Sequence, residues 1–362
     1  MRWLTLCFVI AVSSCSLFAQ GIVIDHTCTD ITEIPQVWIS AVENSIQSHY
    51  AHTSHGAQLV YGIEFIEQDN PAFDCEIGYQ SLPSVANAYC VFDGQETDTY
   101  ITPELYWESS EGLNMTRAVL DNNPELDTSM WGWCTQVDYY NSAQVQVYLD
   151  AMTMLETEYP DVTFIYFTGN AQGTGSEGYN RYLRNNQIRD YCAVNNKILF
   201  DFADMDSWWY NPSTLQWEQH TYNYSGTDVP AEHPAYYGDE YAHTTAESCT
   251  VKGSAWWWMM AVLAGWNATG IAEEQADAEN TCSLFLSNPV SVPFTVCVSS
   301  PDQTQFELAV YDLAGRQTAL IASGTFEPGE HSFVVSDLAE GVYFVVITAE
   351  DSFSGQRTVV VN

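Results

Sequence analysis

The stretch NSAQVQVYLDAMTMLETEYPDVTFIYFTGN (residues 141–170) decides the fold. Its first half spaces Val145, Leu149, Met152, Leu155 and Tyr159 as a helix does, behind a capping pair of Asn141 and Gln144. Its second half, VTFIYFTGN, is a near-continuous apolar run, the pattern of a strand covered on both faces. The same unit recurs as YNRYLRNNQIRDYC followed by KILFDFADMD. Helix and buried strand in alternation predict an α/β domain, a parallel sheet sandwiched by helices. Upstream, IPQVWISAVENSI reads as a helix with Pro35 near its first turn, SHYAHTS as a strand, and GAQLVYGIEFIEQ as a helix with Leu59, Ile63 and Ile66 on one face. The run AWWWMMAVLAG (residues 255–265) reads as a buried helix, because it is too short for a bilayer.

The termini differ in texture from this centre. Residues 1–19 read as a secretory signal, with Arg2, an apolar core and cleavage after Ala19; VSSC, ending at Cys15, also fits a lipoprotein acylation box. Residues 20–269 then form the α/β domain, 270–282 an acidic linker, and 283–362 a region of short alternating segments that reads as a small antiparallel β-sandwich. Eight cysteines follow the signal: Cys28, Cys75, Cys90, Cys134, Cys192, Cys249, Cys282 and Cys297. In an exported chain an even number predicts disulfides, with Cys282 and Cys297 able to close locally. The formal charge is -38, with 47 acids against 9 bases, which excludes nucleic acid as a partner and suits a saline setting.

In the C-terminal region LSNPV, LAVYDLAGR, GEHSFVVSDLAEGVYFVVI and the closing TVVVN resemble the sorting domain, type A, of the bacterial type IX (Por) secretion system. That resemblance implies export across both membranes, with the type IX machinery as a partner. The basic residue that usually lies near the end is Arg357 here.

In a parallel sheet, reactive groups belong at the carboxyl ends of strands. Ser54 falls between a strand and a helix, Asn170 follows VTFIYFTG, and DEYAHTT (residues 239–245) precedes the last buried helix. A hydroxyl, an amide donor and an acid–histidine pair are what acyl transfer requires. Their order and setting resemble the SGNH/GDSL hydrolases. The resemblance implies Ser54 as nucleophile, His243 as base, Glu240 as its orienting acid with Asp239 as the alternative, and Gly132 with Asn170 at the oxyanion. The chain departs from the family pattern in having His52 and Thr53 before the serine and Ala171 after the asparagine.

Other readings compete for the same residues. Ser54 can cap the helix that follows it, and Asn170 can hold a turn through its own side chain. His49, His52 and His55 are spaced by three, which on a strand sends neighbours to opposite faces; a metal site would need the loop to gather His52, His55 and His243. Asp201, Asp204 and Asp206 offer hard oxygen ligands to calcium. Trp131, Trp133 and Trp208 can stack on sugar rings. The function expected is a secreted ester hydrolase acting on acyl groups of a polysaccharide, without a required cofactor; the alternatives are a glycan-binding surface protein and a histidine-metal hydrolase or lyase.

Overall fold

The computed structural model describes residues 21–266, 283–285, 292–300, 303–312, 316–336, 338–339, 341–349 and 352–361. The expected signal, the acylation box at Cys15, the linker, Cys282 and LSNPV lie outside the described residues. The chain divides between Ala268 and Thr269 into two compact units.

In chain order the first unit comprises β1 (Val23–Ile24), α1 (Gln36–Ser45), β2 (Gln47–His52), α2 (Ala57–Asp69), β3 (Cys75–Tyr79), β4 (Tyr89–Asp93), α3 (Ser110–Asn122), β5 (Thr128–Gly132) and α4 (Gln136–Tyr139). It continues through α5 (Ser142–Glu158), β6 (Thr163–Phe167), α6 (Gly175–Val194), β7 (Ile198–Phe200) and α7 (Phe202–Ser207). Two small hairpins follow, β8 (Trp208–Asn211) with β9 (Gln216–Gln219) and β10 (Thr221–Tyr224) with β11 (Thr227–Pro230), and then α8 (Ala246–Leu263).

The predicted helix within residues 141–170 forms as α5, and its capping box closes from both sides: the Asn141 side chain accepts from the backbone of Ala143 and Gln144, and Gln144 accepts from Asn141 N–H. The strand is β6, buried at four of five positions. Seven strands make one wholly parallel sheet in the order β1-β7-β6-β5-β2-β4-β3. After β2 the chain runs out to the edge strand β3 and returns to β4, which fills the place between β2 and β3. It then crosses over and lays down β5, β6 and β7 on the other side of β2. The order therefore reverses between β2 and β5, where two crossovers leave in opposite directions, the position at the carboxyl ends where open α/β sheets bind their ligands.

Period-two geometry splits the histidines of β2 between faces. His49 faces the Trp107, Trp131 and Tyr148 side, stacks on Tyr106 and bonds Ser129 Oγ and Gly94 O, each at 2.8 Å. Burial lowers its pKa to about 4, so it is a neutral core residue. Tyr50 and His52 face the other side, where Tyr50 meets Trp256 of α8.

Helices α2 and α8 cross backbone to backbone on that face. A Cβ at Gly62 would sit 2.1 Å from the Cys249 carbonyl oxygen, and one at Gly253 would sit 2.3 Å from the Gly62 carbonyl carbon. Gly62→Ala is therefore expected to destabilise the unit by ~1–3 kcal/mol through overpacking. Urea unfolding measures this, and an unchanged midpoint would contradict the close crossing.

The second unit has two antiparallel sheets, β12 (Ser283–Phe285), β13 (Phe294–Ser300) and β16 (Gly329–Val335) against β14 (Thr304–Asp312), β15 (Gln317–Phe326), β17 (Gly341–Ala349) and β18 (Ser352–Val361). Val296 and Val298 of one sheet and Phe306, Leu308, Val310, Val345 and Ile347 of the other share its core. Alternating apolar residues supply the two inner faces, as the period-two pattern of this region requires.

Candidate functional site

Three adjacent strands deliver their following loops to the reversal point of the sheet: β2 brings Ser54 and His55, β5 brings Cys134, and β6 brings Asn170 and Gln172. Cys134 Sγ lies 2.9 Å from His55 Nδ1 and 3.4 Å from Ser54 Oγ. His55 Nε2 lies 2.8 Å from Gln172 Oε1. The far end of Gln172 settles the proton count. Its Nε2 donates to the carbonyl of His243 at 2.6 Å and to Glu232 Oε1 at 3.1 Å, both acceptors, so its oxygen must face His55. His55 Nε2 therefore carries a proton. Nδ1 is left to share the thiol's proton, and complete transfer yields a thiolate beside an imidazolium.

The electrostatics favour that transfer. Burial alone would raise the Cys134 pKa, but the His55 hydrogen bond and charge outweigh it, with Ser54 adding a donor, and the thiol falls to about 5. Burial works against the His55 cation, yet Cys134 and Gln172 together raise its pKa above the ordinary value. Four other thiols behave oppositely: burial raises Cys28 and Cys75 and pushes Cys192 up to about 12 and Cys249 up to about 11. Iodoacetamide labelling of Cys134, followed on its own peptide, is expected to track a group titrating near pH 5, with those four inert at that pH. A Cys134 profile with its midpoint near 8.5 would show an ordinary thiol.

The remaining expected site residues distribute as follows. Ser54 does not cap α2; Gly56 occupies that position without a side-chain cap, and the Ser54 hydroxyl points to Cys134. The backbone N–H groups of Ser54, His55 and Gly56, in the turn that leads into α2, bond no acceptor among the described residues. Asn170 is otherwise engaged: its amide donates to Cys134 O at 3.0 Å and its oxygen accepts from Gln172 N at 3.0 Å, which ties the β5 and β6 loops together. Gly132 pairs with His52 in the ladder, and a Cβ there would lie 2.6 Å from the Tyr50 hydroxyl, so packing explains the glycine.

His243 makes no hydrogen bond to Ser54. Its ring packs against that of His55 with centroids 4.9 Å apart, and its Nδ1 is 3.3 Å from Asp239 Oδ1. The nearer acid is thus Asp239; Glu240 turns back to accept from Asp239 N. Ala242 and His243 have φ of 51° and 73°, a left-handed pair unusual outside glycine. The turn is held through its carbonyls, Ala242 O accepting from Gln58 and His243 O from Gln172.

The structure places the other expected ligand and stacking residues as follows. His52, His55 and His243 do not converge on a metal: His52 Nε2 faces Asp93 at 3.1 Å, and His55 is taken by Cys134 and Gln172. Asp201, Asp204 and Asp206 point to separate partners, Arg189, His26 and Lys252, because successive residues of short α7 face different directions. Among the described residues the ligand-type cluster is instead Asp25, His26 and Asp204. Trp131 and Trp133 are core residues packed on Trp107 and Tyr148, and cannot meet a sugar; Trp208 is half-buried against His26. The described cysteines are all free thiols, against the disulfides that an even number in an exported chain predicts. Cys134, Gln172 and Glu232 escaped the sequence reading; the one signal for Cys134 was its place just after an apolar strand, in TSMWGWC.

No curated protein matches the chain. Among solved structures, superoxide reductase (neelaredoxin) from Ignicoccus hospitalis is 18% identical, with 25% of this chain and 89% of that one covered at a TM-score of 0.21. CopC from Methylosinus trichosporium OB3b is 20% identical, with 22% and 94% covered at 0.17. Scores this low fall short of a shared fold. No described helix is long and apolar enough to cross a membrane. Residues 287–362 match the family described as secretion system C-terminal sorting domain, so the chain carries a type IX sorting tail and is exported to the cell surface or beyond it.

Proposed function

We propose that the α/β unit is an ester hydrolase whose nucleophile is the Cys134 thiolate. The observation that carries the reading is the chain Cys134 Sγ, His55, Gln172 at 2.9 and 2.8 Å, set at the reversal point of a parallel sheet. The thiolate attacks the ester carbonyl carbon, and the oxyanion that forms meets the N–H groups of Ser54, His55 and Gly56. His55 Nδ1–H passes its proton to the departing alkoxide, leaving an acyl thioester. His55 then takes a proton from water, which attacks the thioester and frees the carboxylic acid; the thiolate and imidazolium are restored. The substrate class is an acyl ester, acetyl or similar, on a polysaccharide. The surface destination and the partly exposed Trp209, Tyr210 and Trp217 on β8 and β9 support that choice.

A second reading keeps the resemblance to SGNH hydrolases and makes Ser54 the nucleophile with His243 as base. The Asp239–His243 contact favours it.

Acid-quenched turnover of p-nitrophenyl acetate separates the two. An acetyl group on the Cys134 peptide, released by neutral hydroxylamine, supports the first reading, and one on the Ser54 peptide supports the second. Retention on a polysaccharide gel with no acyl release would instead leave a glycan-binding protein.

A further inference from the structure

We propose that Glu232 is a positioning residue for the His55–Cys134 pair, acting through Gln172; the inference rests on the thiolate reading of the site. Glu232 lies between β11 and α8, is 7% exposed, and touches neither Cys134 nor His55 through a hydrogen bond. Its Oε1 takes the Gln172 amide at 3.1 Å and the Thr244 hydroxyl at 3.4 Å, and its backbone N–H donates to Ala171 O at 2.8 Å. Turned about, the Gln172 amide would aim N–H groups at His55 and set its oxygen against two acceptors, the His243 carbonyl and Glu232 Oε1. Glu232 is the side-chain acceptor of the two, and with the carbonyl it keeps the Gln172 oxygen on His55 Nε2, the orientation that supports the imidazolium beside Cys134.

Charged groups from three elements bear on Glu232: Asp206 of α7, Lys252 of α8 and Arg181 of α6, with His220 bonded to its backbone carbonyl. Burial first, then the Asp206 charge, raise its pKa to about 7, against the lowering pull of Gln172 and Lys252. A raised carboxylate is ionised above that value and protonated below it. The acceptor is charged above pH 7, and below it the neutral carboxyl still offers its carbonyl oxygen to Gln172, so the arrangement persists to the thiol's own titration near pH 5.

The alkylation rate of Cys134 by iodoacetamide in the full chain, read on its peptide, tests this apart from any esterase activity. The wild-type profile is expected to show one rise, near pH 5. Gln172→Ala, which removes the acceptor on His55 Nε2, and Glu232→Ala, which frees the amide to turn, should each slow alkylation at pH 5 by about fivefold, as for one hydrogen bond, by moving that midpoint upward. Glu232→Gln, which keeps an acceptor, should leave the midpoint in place, and Gln172→Ala combined with Glu232→Ala should match Gln172→Ala alone. A midpoint unmoved in Glu232→Ala while Gln172→Ala moves it overturns the proposal. Loss of the step near pH 5 in the wild type would instead remove the thiolate reading beneath it.

Discussion

Cys134→Ala is expected to lower kcat/KM for p-nitrophenyl acetate by about 10³-fold or more, because it removes both the nucleophile and the partner that keeps His55 charged. Ser54→Ala is expected to cost about ten- to a hundredfold, less than the cysteine. Its hydroxyl is one donor to the sulfur at 3.4 Å, and a lost donor to a charged group is worth ~1.5–3 kcal/mol at most. The comparison works because both side chains sit in one cluster and see the same substrate. Steady-state kinetics on purified protein gives the ratio. If Ser54→Ala shows the larger loss, the serine attacks and Cys134 is its neighbour. Undiminished turnover in Cys134→Ala with Ser54 intact would end the thiol mechanism.

Lys252→Met is expected to destabilise the α/β unit by ~3–5 kcal/mol, the range for stranding one member of a buried ion pair. Lys252 is fully buried in α8, 2.7 Å from Asp206 Oδ1, and donates to Ser248 Oγ. Methionine fills the volume but leaves the Asp206 carboxylate, itself 1% exposed, without a counter-charge. Asp206 also accepts from Ala171 N at 2.8 Å, so the damage reaches the loop that carries Gln172. Adding Asp206→Asn to Lys252→Met should recover part of the loss, since the stranded charge is then gone while an acceptor for Ala171 remains. Urea unfolding of the two variants measures this, and a single-variant change below ~1 kcal/mol would show that water or rearrangement reaches the pair.

The α/β class was legible from residues 141–170 because burial on both faces of a strand and one face of a helix leaves a periodic mark on the chain. The edge strand β3 and the β8–β11 hairpins leave weaker marks, being short and largely half-exposed, whereas β4 is buried at all five positions yet lies between loops with no helical partner pattern beside it. The loops that hold the chemistry were placed correctly at strand ends, but their partners were not. The sequence pairs Ser54 with His243, almost two hundred residues away; the structure sets Cys134 beside both Ser54 and His55 and gives His243 a contact to Asp239. Pairing across strands depends on sheet order, and the reversal between β2 and β5 has no local signature. Export also biased the cysteines toward disulfides, whereas only three-dimensional neighbours separate a buried inert thiol from one beside an imidazole.

The sequence by itself determined the layered α/β unit, the β-rich sorting tail and the destination outside the cell, because hydrophobic period and tail motifs are carried by residues close together in the chain. The tertiary structure alone decided which groups become chemical partners. Proton sharing between Cys134 and His55, and the amide that orients it, depend on distances of about 3 Å between loops that the chain visits tens of residues apart.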